Sequence, residues 1–174
     1  MTRPRYTLAR RKARELLAQG KIDSPPVPIE QLATVVGARI RYEPFAGELS
    51  GMVHRSPVGV VIGVNSMHAP TRRRFTVAHE LGHLLLHRNE DLHIDERFPI
   101  GFRTELSSKA LDAAEIEANQ FAAELLMPER LMRADVAGLS EDPDIEKAIS
   151  RLAQRYEVSE QAMTIRLSVL GLLR

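Results

Sequence analysis

Residues 79–83 read His-Glu-Leu-Gly-His, a spacing that could hold a metal ion and use it. In an α-helix, residues four apart lie on one face about one turn apart, so the imidazoles of His79 and His83 can point at a single ion. Glu80 lies roughly 100° around the helix from His79, where its carboxylate can reach a water molecule on the metal without binding the metal itself. Two neutral nitrogen ligands beside a carboxylate base are suited to zinc-dependent hydrolysis.

The residues around this motif predict the helix that it needs. Between Arg72 and His87, apolar residues recur at nearly helical spacing, at positions 75, 78, 81, 85 and 86. No proline follows Pro70 in this segment, and Thr71 can cap the start of the helix. Gly82 costs about 1 kcal/mol relative to alanine inside a helix, which indicates that another part of the chain packs closely there. A chance match to the five-residue pattern is therefore the weaker explanation.

A third metal ligand is required, because a catalytic zinc site usually has three protein ligands and one open position. The chain contains no cysteine, which leaves His, Asp and Glu as ligands. One class of zinc protease would need Gly at 86 and His at 89, but the sequence has Leu86 and Asn89. A carboxylate on a later helix, predicted from about Ser108 to Met127, is the natural source.

Several carboxylates could complete the site. The predicted later helix carries Glu115, Glu117 and Glu124. Glu115 and Asn119 share a face because they are four residues apart, so Glu115 could bind the metal while Asn119 orients a ligand imidazole. Glu117 points elsewhere. The segment just after the motif offers weaker candidates, since irregular structure fixes ligand geometry poorly: Asp91, His93 and Asp95.

The order of predicted elements indicates an α+β fold. Helices are expected at 8–19 and 28–36, followed by strands at 38–42, 49–54 and 58–64. The motif helix comes next, then a loop at 88–107 and further helices. Because the strands are grouped and do not alternate with helices, we predict a small, mostly antiparallel three-stranded sheet packed on the helices that carry the motif.

The C-terminal residues predict a pair of helices. The first carries an apolar stripe made of Ile145, Ile149, Leu152 and Tyr156. Ser159 can cap the second, and the two helices joined at 157–159 look like a helix-turn-helix. DNA contact is the less favoured interpretation, because the last helix has only Arg166 as a basic group before Arg174. We predict a metallopeptidase domain at 1–138 and a C-terminal helical segment at 139–174 that packs on it.

Composition narrows the classes of function. The net charge is +1, so no strong overall field attracts nucleic acid or a membrane. No segment approaches the roughly 18 apolar residues of a membrane span. The basic N-terminus is not followed by the apolar region of a secretory signal, so a cytoplasmic, bacterial-type enzyme is expected.

Two segments resemble the signatures of the ImmA/IrrE family of metallopeptidases: RRFTVAHELGHLLLH at 73–87 and EIEANQFAAELLMP at 115–128. The resemblance extends over nearly the whole chain. It implies a gluzincin-like zinc site whose third ligand is the glutamate four residues before Asn119, which is Glu115. Similar family members cleave helix-turn-helix repressors and so release genes for mobile-element transfer or stress response.

The main functional prediction is a zinc-dependent endopeptidase that cleaves a helix-turn-helix repressor or an antitoxin-like partner. His79, His83 and Glu115 would bind zinc, although this ligand set also admits manganese. Glu80 would act as the general base. One alternative is a module that binds a repressor or antitoxin without cutting it and holds a structural metal; another is a DNA-binding regulator.

The sequence leaves alternatives for two parts of the predicted active site: the strand that binds the substrate and the group that stabilises the oxyanion. The substrate is expected to lie extended along an exposed strand edge, at 49–54 or 58–64. A second group should stabilise the oxyanion, and its candidates are His54, His68, His93 and the basic run 72–74.

Overall fold

The computed structural model describes residues 3–47, 49–87, 113–138 and 144–173, together with the backbone of 92–95. Within these residues the chain forms seven helices and four strands. The helices are α1 (Tyr6–Gln19), α2 (Ile29–Val35), α3 (Pro70–Leu86), α4 (Ala113–Leu126), α5 (Glu129–Ala137), α6 (Ile145–Tyr156) and α7 (Glu160–Val169). The strands are β1 (Ala38–Glu43), β2 (Gly51–Ser56), β3 (Gly59–Asn65) and β4 (Leu92–Asp95). The α+β class predicted from the sequence is confirmed.

The sheet is mixed and has the order β1-β3-β2-β4. β2 pairs antiparallel with β3 and with β4, whereas β1 runs parallel to β3. The predicted three-stranded sheet is therefore corrected in one respect, because it has a fourth strand. Two of its three pairings are antiparallel, in agreement with the prediction of a mostly antiparallel sheet. β4 falls in the segment 88–107 that was predicted as a loop; the other residues of that segment lie outside the described residues.

The pairing also corrects the expected substrate edge. β2 and β3 each have a neighbour on both sides, so neither offers an open edge. Among the described strands, the edges of the sheet are β1 and β4. β3 lies between β1 and its hairpin partner β2, and the other side of β2 pairs with β4.

α3 lies at the centre of the fold. It packs against α1, α2 and α4 and against strands β2 and β3. Its N-cap is Ala69, which makes no side-chain capping bond, and Pro70 occupies the first turn, where a missing N–H has no cost. The prediction that Thr71 caps this helix is wrong, because the N-cap is Ala69, two residues earlier. The residues from Thr76 to Leu84 are all buried, so the motif lies inside the core.

α4 is held in place by buried carboxylates that pair with arginines. Glu124 is almost fully buried and binds both Arg14 of α1 and Arg166 of α7. Arg166 also donates from Nε to the carbonyl oxygen of Met127, at 3.0 Å. These contacts connect α4 to elements that are distant in the sequence.

The predicted C-terminal helix pair is present as α6 and α7, which pack against each other. The turn between them contains Glu157, whose φ of 52° is left-handed. Ser159 caps α7 as predicted, since its hydroxyl accepts a hydrogen bond from the N–H of Ala162. Arg166 is only 3% exposed, so its guanidinium is not available to a DNA phosphate. None of the helices in the described part of the chain combines the length and apolarity of a membrane span.

Replacing Glu124 with alanine is expected to lower the free energy of unfolding by about 3–5 kcal/mol, because Arg166 would stay buried without its carboxylate. Denaturant unfolding measures this loss. The double variant Glu124→Leu/Arg166→Met removes both charges and should recover much of the stability. Lys12→Ala, which breaks an exposed pair, is the control and should cost far less. Equal losses in the single and double variants would contradict this account.

Candidate metal centre

α3 and α4 approach each other closely at one glycine. A Cβ atom added to Gly82 would lie 2.9 Å from Cα and 3.2 Å from the carbonyl oxygen of Ala118, distances that real Cβ atoms rarely or never show. Only hydrogen on Gly82 and a small side chain on Ala118 permit this backbone contact. The close packing predicted from the glycine is therefore confirmed, and its partner is the helix that carries Glu115 and Asn119.

Three side chains converge where these helices meet. His79 Nε2 and His83 Nε2 are 3.0 Å apart. The carboxylate of Glu115 lies 3.2 Å from His79 Nε2 and 3.1 Å from His83 Nε2. Four ligands bound tetrahedrally at zinc–nitrogen distances of 2.0–2.1 Å would stand about 3.3 Å apart. The spacing and the nitrogen and oxygen donors thus fit one metal ion, and these residues form a His-His-Glu cluster able to hold it.

Asn119 sets the orientation of His79. Its Oδ1 lies 3.0 Å from His79 Nδ1, and a carbonyl oxygen can only accept, so Nδ1 is the donor. A neutral imidazole with its proton on Nδ1 has a lone pair on Nε2, the atom that faces His83 and Glu115. The expected hydrogen bond between Asn119 and a motif histidine is present in the structure, while metal binding by His79 stays a prediction.

The cluster favours the charged form of Glu115. Burial raises the pKa of this carboxyl group, but hydrogen bonds and positive charge from His79 and His83 in their protonated forms outweigh burial and hold the pKa well below its usual range. A bound cation would take the place of those protons. An ionised carboxylate beside two imidazoles is the state in which these groups bind a divalent cation. Both histidines are 1% exposed at their side chains, while Glu115 is 23% exposed, so the cluster is reached from the side of Glu115.

Glu80 is fully buried beneath the sheet. A Cβ atom built on Gly51 of β2 would lie 3.1 Å from Glu80 Oε1. It would lie only 2.4 Å from Cγ2 of Thr76. Glycine at position 51 thus allows β2 to lie directly over the carboxylate. Glu80 therefore projects from α3 toward β2, whereas His79 and His83 face α4.

The other carboxylates predicted on α4 have different partners. Glu117 accepts hydrogen bonds from the Arg5 backbone N–H at 2.7 Å and from Arg5 Nε at 3.0 Å and Nη2 at 2.8 Å. Glu124 binds Arg14 and Arg166. The expectation that Glu117 points away from the site is confirmed. Asp91 and the side chains of His93 and Asp95 lie outside the described residues.

The structure brings none of the described oxyanion candidates to the cluster. His54 is exposed on the face of β2 opposite Gly51 and Val53. His68 precedes α3, more than two turns before the motif. The run 72–74 begins about 10 Å along the helix from His79, and its members bind elsewhere: Arg72 to Ser50, Arg73 over the ring of Tyr42, and Arg74 to Val27 and Glu157.

Two residues near the motif were not singled out from the sequence. Gly51 lies against Glu80, and Arg55 donates to carbonyl oxygens at the end of α3. Both lie on the inward face of β2, together with buried Val53. The period-two alternation of a strand relates these three positions and could have marked them, once β2 was assumed to pack on α3.

Comparison with known proteins agrees with this architecture. The model of the peptidase family described as the IrrE N-terminal-like domain matches residues 33–168, most of the chain. The chain belongs to this family, the ImmA/IrrE family of metallopeptidases. The match covers the described parts of the sheet, the motif helix and α4, and it extends into α7.

Two relatives are similar to this chain. The uncharacterized immunity region protein 2 of Bacillus phage phi105 is 29% identical over 124 residues, which are 71% of each chain. The radiation response metalloprotease IrrE of Deinococcus radiodurans is 33% identical over 128 residues. That alignment covers 74% of this chain but only 36% of the relative, so the chain corresponds to about a third of that protein.

Gly82→Ala tests the close approach of α3 and α4. Helix propensity alone would stabilise the variant by about 1 kcal/mol, but the overlap with Ala118 should reverse the sign and cost about 1–3 kcal/mol. Denaturant unfolding decides between the two. Gly138→Ala is the matched control, because its nearest atom would lie at an ordinary 3.4 Å and its φ is −75°. A Gly82→Ala variant as stable as the control would refute the packing constraint.

Proposed function

We propose that this protein is a metal-dependent endopeptidase whose metal ion is held by His79, His83 and Glu115. The observation that carries the proposal is the convergence of these three side chains to within 3.2 Å of one another. Glu80, the residue after His79 on the same helix, is buried. Membership of a metallopeptidase family supports the proposal. Zinc is the proposed ion, and manganese is the alternative that the same ligands accept.

Asn119 and Glu80 are proposed to have different roles in hydrolysis. Asn119 keeps the proton of His79 on Nδ1 and so keeps Nε2 available as a ligand. A bound zinc ion would lower the pKa of its water to near 7 and polarise the scissile carbonyl. Glu80 is proposed to take the proton from the attacking water and to pass it to the leaving amine nitrogen.

The proposed substrate is a helix-turn-helix repressor. The likeness to the family's signatures supports this class of substrate, and one relative is named as an immunity region protein of a phage. An extended substrate segment would pair with the outer edge of β4, since β4 is the edge strand beside β2 in the described sheet. Cleavage in the cytoplasm would remove the repressor from its operator.

Recognition of the repressor is proposed to be through protein contacts and not through DNA. The basic side chain that the sequence offered on α7, Arg166, is buried against Glu124. The helix begins with exposed Glu160, which would repel a phosphate backbone. A gel shift at physiological salt should accordingly find no binding of duplex DNA by the protein alone.

Glu80→Gln is expected to keep the metal and to abolish cleavage, because the amide has nearly the same shape but cannot accept the water proton. The measurement pairs metal content, by elemental analysis, with gel-based cleavage of the repressor encoded beside the gene, with and without chelator. Glu43→Gln, an exposed change on β1, is the control and should cut like the wild type. Chelator-sensitive cleavage by Glu80→Gln would overturn the assigned role, while metal binding without cleavage in every variant would favour the regulatory binding module.

Asn119→Ala should weaken metal binding by about 10- to 100-fold, because His79 would lose the acceptor that fixes its tautomer and ring orientation. Competition with a chromophoric chelator measures the affinity. Asn119→Asp retains an acceptor oxygen and should recover most of it. The proposed orienting role fails if alanine and aspartate at this position bind the metal equally well.

A further inference from the structure

One arginine of the sheet forms hydrogen bonds with the C-terminal end of α3. Arg55 Nη2 on β2 shares its two hydrogens among three carbonyl oxygens: His83 at 3.2 Å, Leu84 at 3.1 Å and His87 at 3.1 Å. The first of these carbonyls belongs to a proposed metal ligand. The last belongs to the C-cap residue of the helix.

A helix needs such partners at this end. The last four carbonyl groups of an α-helix have no intrahelical donor of the usual kind, and their aligned dipoles concentrate negative charge there. The N–H of His87 serves the carbonyl of His83, at 3.0 Å. The guanidinium of Arg55 adds donors to the same turn and complements the dipole with its positive charge.

β2 therefore touches the motif at two points. Gly51 allows the strand to lie against Glu80, and Arg55, four residues later on the same face, binds the turn that carries His83. Four strand residues span about 13 Å and the seven residues from Glu80 to His87 span about 10 Å of helix, so strand and helix run side by side over this distance. The contact is fixed at both ends.

We propose that Arg55 is a positioning residue for the metal centre, acting through the backbone of His83 without touching the ion. The inference rests on the proposed function, because it requires that His83 bind a metal. The guanidinium holds the last turn of α3 so that the His83 imidazole meets His79 and Glu115. Lysine keeps the positive charge but has a shorter side chain with a single compact ammonium, so it should reproduce these contacts only in part.

The direction in which metal affinity changes when Arg55 is replaced distinguishes a positioning role from a purely electrostatic one. Arg55 carries a positive charge near a site for a cation, so removal of that charge alone would tighten metal binding. Loss of positioning would weaken it. Residues that orient metal ligands typically change metal affinity by about 10- to 100-fold when they are replaced.

The experiment uses Co²⁺ as the probe, with the full chain as wild type, Arg55→Met, Arg55→Lys and Arg133→Met. Affinity is measured by competition with a chelator, and the ligand field by the visible absorption of the bound ion. Arg133→Met is the matched control, because Arg133 Nη2 donates to the carbonyl of Leu170 at the end of α7, far from the motif in the sequence. Thermal unfolding is measured for each variant, and the affinities are then compared at one temperature at which all variants are folded.

Arg55→Met is expected to bind Co²⁺ about 10- to 100-fold more weakly and with an altered spectrum. Arg55→Lys should fall between it and the wild type, and Arg133→Met should match the wild type. Unchanged or tighter binding by Arg55→Met, or an equal loss in Arg133→Met, overturns the inference. If Arg55→Met does not fold, the comparison of Arg55→Lys with Arg133→Met decides. A wild type that binds no Co²⁺ or Zn²⁺ would instead refute the proposed function.

Discussion

The backbone contact between Gly82 and Ala118 is the constraint on which the rest of the structure depends. It brings α3 and α4 close enough for two histidines on one helix to meet a glutamate on the other. A larger residue at either position would separate the helices, and a separation of even 1 Å is large compared with the roughly 0.2 Å tolerance of metal–ligand distances. Small residues in the middle of two buried helices thus serve the chemistry of residues one turn away.

Close approach alone does not determine how α4 is rotated or how far it slides along α3. Two carboxylates of α4 limit both movements: Glu117 binds Arg5 at the start of α1, and Glu124 binds Arg14 more than two turns further along α1. One turn of axial slip would move Glu115 by 5.4 Å, well beyond ligand reach. The ionic contacts of α4 and the arginine of β2 hold the two helices of the His-His-Glu cluster in one relative position.

The sequence was sufficient for the local features and insufficient for the long-range ones. Helical spacing predicted α3, and the four-residue interval paired Glu115 with Asn119 correctly, because both depend only on helix geometry. The parallel partnership of β1 and β3 was missed, since alternation marks a strand but not its neighbour. β4 is only four residues long in a segment without clear periodicity. The partners of Arg5 and Arg55 could not be foreseen, because no spacing rule relates an arginine to a carboxylate 112 residues away or to a backbone carbonyl 28 residues away.

The contact between Glu124 and Arg166 has a consequence for the order in which the protein acquires its final form during synthesis. The two residues are 42 positions apart, and α7 leaves the ribosome well after α3 and α4. Until then, Glu124 lacks its buried cation and the end of α4 has fewer restraints. The end of α4 therefore gains its last ionic restraint only after residue 166 has been translated, later than all three residues of the His-His-Glu cluster.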